Sequence, residues 1–273
     1  MTTHRLPLLA LAAALMACAA AAPPSTDGAR PRAARTQLSV PYLLQDEVVT
    51  PVARRVPRTR GVAAAAIRAL LRGPTAAERR AGLTSAIPNG TRLRGLTIQS
   101  GLATIDLSRR FESGGGSQSM RARVAQVVFT LTRFPTVRRV AFRFDGRPVT
   151  SIGGEGVVVS PPVGRAGFED LSPIILVESP LRDQRVRSPL VVEGTSNTFE
   201  ASLFVDLLGP NGRRLARRAL TATSGTGTRG TFRTTLRFVA AKDAKLTLRA
   251  YERSAADNRI IHVTRVPLVA GGG

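Results

Sequence analysis

The stretch GGGSQSMRARVAQVVFTLTRFPTVRRVAFRFDGRPVTSI, residues 114–152, decides how the first half of this chain is read. Met120, Val124, Val127, Val128, Leu131 and Phe134 fall at offsets 0, 4, 7, 8, 11 and 14, which is one apolar stripe of a helix. Ser117 stands where a side chain can cap the helix N-terminus. Arg121, Gln126, Thr130 and Arg133 fall mostly on the other side. The period then changes from 3.6 to 2. Val140, Phe142 and Phe144 alternate, and Asp145-Gly146 suits a type I′ turn. A helix therefore feeds a hairpin.

Working upstream, TRLRGLTIQSGLATIDLS reads as an earlier hairpin with its turn at QSG, and Ala103, Ile105 and Leu107 share one face. Val62, Ala63, Ala66, Ile67, Leu70 and Leu71 give a first helix, which Gly73-Pro74 stops. TAAERRAGL fits a short helical turn. In QLSVPYLLQDEVVTPVARRVP two apolar runs flank a turn at Asp46-Glu47, and Pro41 and Pro51 place them at edges. Residues 37–160 thus read as one α+β domain, a small sheet with two helices. Downstream the helical period stops. IILVES, RSPLVVEGT, EASLFVDLLGPNG, RGTFRTTLRFV, KLTLRAYERS and IIHVTRVPLV are strand-like, so residues 172–270 read as an all-β immunoglobulin-like sandwich of six or seven strands.

The N-terminus carries a different message. MTTHR is a short basic start, LPLLALAAALMA an apolar run too short to span a bilayer, and LMAC ends it as a lipobox. Residues 1–17 read as a lipoprotein signal peptide, Cys18 as the lipid attachment site and residues 18–36 as a flexible tether. The alternative is an ordinary secretory signal with an incidental cysteine. Cys18 is the single cysteine, so no disulfide is available. The expected location is the extracytoplasmic face of the bacterial cell membrane, lipid-anchored.

Forty basic residues against eighteen acids give a net charge of +22, and all but Lys242 and Lys245 of the basic residues are arginine. GC-rich coding bias and an anionic neighbour both account for this. The scatter of the arginines along the chain, without a dense patch, favours the first. Export and the absence of tryptophan or a stacking motif argue against nucleic acid as a partner.

The quoted segments carry a family resemblance. ALLRGPTAAERRAGLTSAIPNGTRL, ATIDLSRRF and GGSQSMRARVAQVVFTLTRFPTVRRVAFRFDGRPV together resemble a GerMN domain. IILVESPLRDQRVRSPLVVEGTSNTFEASL with GTGTRGTFRTTLRFV resembles the immunoglobulin-like domain that follows it in spore-germination-type lipoproteins. The resemblance implies a ring-building-motif-like α+β fold that mediates subunit packing. It supplies no catalytic residues.

Enzymatic constellations are missing. ESGGGSQSM lacks the lysine of a P-loop and fails the dinucleotide fingerprint, so its glycines read as a crossover from strand to helix. A weak anion site at that helix N-terminus stays open. His262 is the one histidine beyond the signal, inside an apolar strand, and reads as structural. Glu169-Asp170 are adjacent, which does not make a glycosidase pair. No cofactor, metal or catalytic residue is expected. The expected role is a non-enzymatic interaction or assembly module. Its partners would be a membrane or envelope protein complex, with self-association among the options; the alternative is binding of a cell-wall polyanion or peptidoglycan. Arg121, Arg133, Arg138 and Arg139 are the candidate interface groups.

Overall fold

Tight turns set the register of the first domain. The computed structural model describes residues 1–2, 35–154 and 156–271. Most of the expected signal peptide, Cys18 and nearly all of the tether lie outside the described residues. Strand β1 (Thr36–Ser39) pairs with β4 (Arg54–Pro57), and between them β2 (Tyr42–Gln45) pairs with β3 (Val48–Pro51). Asp46 and Glu47 both take positive φ, 49° and 64°, the type I′ geometry that suits the strand twist. Helix α1 (Val62–Leu71) follows, and Gly73 at φ 68° ends it. The short α2 (Ala76–Arg80) starts with a capping box. Thr75 accepts from the Glu78 N–H, and Glu78 reaches back to the Thr75 N–H.

The central sheet runs β5 (Leu93–Gln99), β6 (Gly101–Leu107), β7 (Val137–Phe144) and β8 (Arg147–Pro148), in that spatial order. Strands β5 and β6 are antiparallel around Ser100-Gly101, and β7 and β8 around Asp145-Gly146. Strands β6 and β7 are parallel, so the chain must cross over between them. Helix α3 (Ser117–Thr132) makes that crossover. A short hairpin of two-residue strands, β9 (Ser151–Ile152) and β10 (Val157–Val158), closes the domain.

Helix α3 differs from its sequence reading in two respects. It has no solvent face over its middle: Met120 and every residue from Ala122 to Leu131 are buried. The apolar stripe meets α1 and β7, while β2, β3 and the segment 165–171 cover the side expected to be polar. Gln126 and Thr130 are there to satisfy the backbone of β2. Gln126 donates to the Tyr42 carbonyl (3.0 Å), and the Thr130 hydroxyl accepts from the Tyr42 N–H (3.0 Å). The helix is capped by Gly116, without a side-chain bond, and Ser117 is already its first turn.

The second domain has eight strands. They are β11 (Ile175–Ser179), β12 (Gln184–Val186), β13 (Leu190–Ser196), β14 (Ser202–Leu208), β15 (Arg214–Thr221), β16 (Gly230–Leu236), β17 (Lys245–Arg253) and β18 (Ile260–Ala270). They form a three-stranded sheet, β11-β13-β16, and a five-stranded sheet, β12-β18-β17-β14-β15. The eighth comes from the first part of the domain, which divides between sheets: β11 joins one, and β12 runs parallel to β18 in the other. Alternate residues such as Val192, Val205, Leu207, Leu248 and Leu268 fill the core.

The junction is not a bare linker. Phe168 and Leu171, from a 3₁₀ segment at Arg165–Leu171, and Leu176 of β11 are buried in the core of the first domain. Arg35–Gly273 make one compact unit.

Candidate functional site

Polar groups concentrate where α3, β2, the 3₁₀ segment and β11 meet. Tyr42 is fully buried, and its hydroxyl donates to the Glu178 carboxylate. Arg165 donates from Nη1 to the same oxygen (2.9 Å) and from Nε to the Thr132 hydroxyl (2.8 Å). Its guanidinium lies over the rings of Phe129 (4.8 Å) and Tyr42 (5.7 Å). Arg133 donates to the Glu178 carbonyl (3.2 Å). Burial works against the Glu178 carboxylate, but Arg165, the Tyr42 hydroxyl and Arg133 outweigh it and hold its pKa below the usual range. Burial, with Glu178 alongside, pushes the Tyr42 hydroxyl above the usual phenol range. Both groups keep fixed protonation near neutrality, so the cluster is built to hold rather than to transfer protons.

The four candidate arginines separate into two pairs. Arg121 pairs with Asp170 (2.7 Å) and lies over the Phe168 ring (5.6 Å), so it ties α3 to the 3₁₀ segment. Arg133 belongs to the Glu178 cluster. Arg138 and Arg139 are exposed and sit within β7. Tyr42, Arg165 and Glu178 escaped the sequence reading. Their one signal is Glu178 itself, a lone acid at the end of the apolar run IILVE.

The glycine loop has the wrong polarity for phosphate. A phosphate cradle points N–H groups inward. Here carbonyls point inward, at an arginine. Arg123, 3% exposed, donates from Nη1 to the carbonyls of Phe111 (2.8 Å) and Ser113 (3.1 Å), and from Nη2 to that of Gly114. A Cβ on Gly115 would stand 2.6 Å from the Arg123 guanidinium, and Gly115 has φ +82°. Gly115 makes room for a buried cation.

His262 and the adjacent acids Glu169 and Asp170 are also engaged within the fold. His262 sits at a register irregularity between β17 and β18, and its Nδ1 lies 2.7 Å from Glu252. Glu252 also accepts from the Phe199 N–H (2.8 Å). Glu169 pairs with Arg229 (2.8 Å) and Asp170 with Arg121, so the adjacent acids serve separate bridges. Among the described residues, no group of three or more His, Cys, Asp or Glu side chains is placed to hold a metal ion. No helix of the described residues is long and apolar enough to cross a membrane.

Residues 40–150 match the Germane family, described as sporulation and spore germination. Residues 174–259 match the Gmad2 family, the immunoglobulin-like domain of bacterial spore germination. The chain thus carries a sporulation and spore-germination domain followed by the immunoglobulin-like domain of bacterial spore germination.

Among solved structures, the chain is similar to the tandem GerMN domains of the sporulation protein GerM from Bacillus subtilis. Identity is 16% and the TM-score 0.44, covering 77% of this chain and 64% of that one. It therefore spans just under two thirds of that chain. The first GerMN domain of the same protein matches at 22% identity and TM-score 0.42, over 48% of this chain and 98% of that one. A putative lipoprotein from Clostridium perfringens matches at 20% identity and TM-score 0.36, over 48% and 88%. None of the curated proteins compared with the chain is similar to it.

Proposed function

We propose that this GerM-like protein is a non-catalytic envelope component, anchored through a lipid on Cys18 at the outer face of the bacterial membrane. Its two domains act together as one interaction module for a membrane or envelope protein complex. The observation that carries this reading is the junction. Leu176 of the second domain completes the core of the first, and Glu178 gathers Tyr42, Arg133 and Arg165. Two domains joined this way present surfaces at a fixed mutual geometry, as a scaffold requires. Anchoring confines such a protein to two dimensions and raises effective concentration, so weak contacts with neighbours suffice.

In-cell crosslinking of the anchored protein tests the reading. Discrete envelope proteins are expected in the captured set, and Cys18→Ser is expected to release the protein from membranes and deplete that set. Retention of fully processed Cys18→Ser protein on the membrane would refute the anchor. Turnover of purified peptidoglycan by the wild type would refute the non-catalytic role.

A further inference from the structure

The sheet of the first domain turns one face to α3 and leaves the other uncovered by helix. Val140, Phe142 and Phe144 point inward and are buried, so the alternate residues Arg139, Ala141 and Arg143 point outward. Register extends this face across the sheet. Leu102 and Gln99 lie beside Arg139, Thr104 and Thr97 beside Ala141, and Asp106 and Gly95 beside Arg143. Arg138 is the extra residue at the register shift and lays its guanidinium against Gly101. Arg138, Arg139 and Arg143 are exposed, and among the described residues none of them forms an ion pair. The acid in the row, Asp106, is occupied in accepting from the Gly146 N–H (3.1 Å).

The chemistry of this face narrows what it fits. It is poor in large apolar side chains, so it lacks the apolar centre of a protein interface. It presents no aromatic ring on which a nucleic-acid base could stack. A planar lipid surface would meet cations across the whole sheet, but β5 offers Gly95, Thr97 and Gln99 there. The cations instead run along one strand. Arg139 and Arg143 are four residues apart, about 13 Å at roughly 3.3 Å per residue. Hydroxyls of Thr104 and Thr97 lie beside that line and can donate to phosphate oxygens. Each guanidinium can grip a phosphate with two N–H groups.

We propose that the outer face of the β5–β8 sheet is a docking track for a linear polyol-phosphate polymer, a phosphodiester chain without bases, whose phosphates pair with Arg138, Arg139 and Arg143. The track goes beyond the interaction module described above and does not depend on it, since the polymer can dock whether or not protein partners are captured.

The test is equilibrium binding of the full chain to fluorescent poly(glycerol phosphate) over a range of salt concentrations. Arg139→Gln/Arg143→Gln is compared with Arg214→Gln/Arg218→Gln. The latter pair is exposed on β15 and removes the same charge. The β7 pair is expected to weaken binding at least tenfold and to make the log–log salt slope shallower by about 2, one per lost contact. The β15 pair is expected to weaken it less than threefold. Arg139→Lys/Arg143→Lys keeps the charge but loses the two-pronged grip, so it is expected to keep the wild-type salt slope and to bind between the wild type and the β7 Gln pair, with an unchanged melting temperature in all three. Equal losses in the two Gln pairs would show that net charge alone is at work and overturn the track. So would absence of saturable binding by the wild type. Tighter binding to phosphatidylglycerol vesicles, or to single-stranded DNA of equal charge, with the same sensitivity to the β7 pair would give the face to a membrane or to nucleic acid and overturn the polymer.

Discussion

Two sheet faces of this protein are rich in arginine and use it in opposite ways. In the sandwich, Asp206 of β14 is completely buried between Arg217 (2.7 Å) and Arg249 (2.6 Å). Both guanidinium groups lie over the Tyr251 ring, Arg253 lies over Phe204, and the two rings stack at 5.4 Å. Each guanidinium has a carboxylate or a ring as its partner, while the buried Arg249 Nε and Tyr251 hydroxyl make no hydrogen bond. On the outer face of the first domain, Arg139 and Arg143 stand in the open beside Thr104, Ala141 and an Asp106 already in use. The same residue type is structural in one place and available in the other. A count of arginines is silent on this, because the outcome depends on whether the fold delivers a carboxylate and a ring.

The sharpest way to break this contrast is Asp206→Asn. Burial opposes the Asp206 carboxylate, but hydrogen bonds from Arg217 and Arg249 hold its pKa below the usual range. The variant is expected to lose about 2–3 kcal/mol in urea unfolding, less than the roughly 3–5 of a fully buried pair. Arg217 and Arg249 keep 33% and 23% of their side chains exposed, so they can turn to water. A loss under about 0.5 kcal/mol, the size of an ordinary surface change, would erase the distinction between the two faces.

Gly115→Ala extends the comparison to an arginine held by neutral partners. At φ +82°, with the Arg123 guanidinium in the space a Cβ needs, the variant is expected to cost about 1–3 kcal/mol. A cost below that would mean that the loop can release Arg123 cheaply.

Glu178→Gln probes the arginines of the junction. Removing the charge is expected to cost about 1–2 kcal/mol at pH 7. Because the folded-state pKa of Glu178 is depressed, its contribution is fully present above its unfolded value, about 4.3, and is lost as pH falls through the folded value. The gap between wild type and Glu178→Gln should therefore narrow on acidification. A gap that widens would reverse the sign and remove the ion cluster as its origin. The smallest effect belongs to the bare face: Arg139→Gln/Arg143→Gln should change stability by less than about 0.5 kcal/mol while altering polymer binding.

Much of the architecture was legible because its signals are local. The turns at Asp46-Glu47, Ser100-Gly101 and Asp145-Gly146 declare themselves through residues that tolerate positive φ, and each closes the expected hairpin. The stripe from Met120 to Leu131 faces the core as its period requires. The errors lie where a second element decides. Gln126 and Thr130 looked solvent-facing because polarity was read without β2, whose backbone they satisfy. The eighth strand was missed because QRV at 184–186 is too short for a pattern and becomes a strand through β18 alone. Arg121 and Arg133 looked exposed because their partners, Asp170 and Glu178, are 49 and 45 residues away.

By itself the sequence determined the element order, the α+β domain followed by a sandwich, and the family resemblance. All of these rest on periodicity, turn chemistry and motif order, which act over a few residues. Only the tertiary structure decided which arginines are bound and which are bare, that α3 is enclosed on both sides, and that β11 belongs to two cores. These depend on groups brought together from distant parts of the chain. A side chain's charge is written in the sequence, but its desolvation and its partners exist only once the chain has packed.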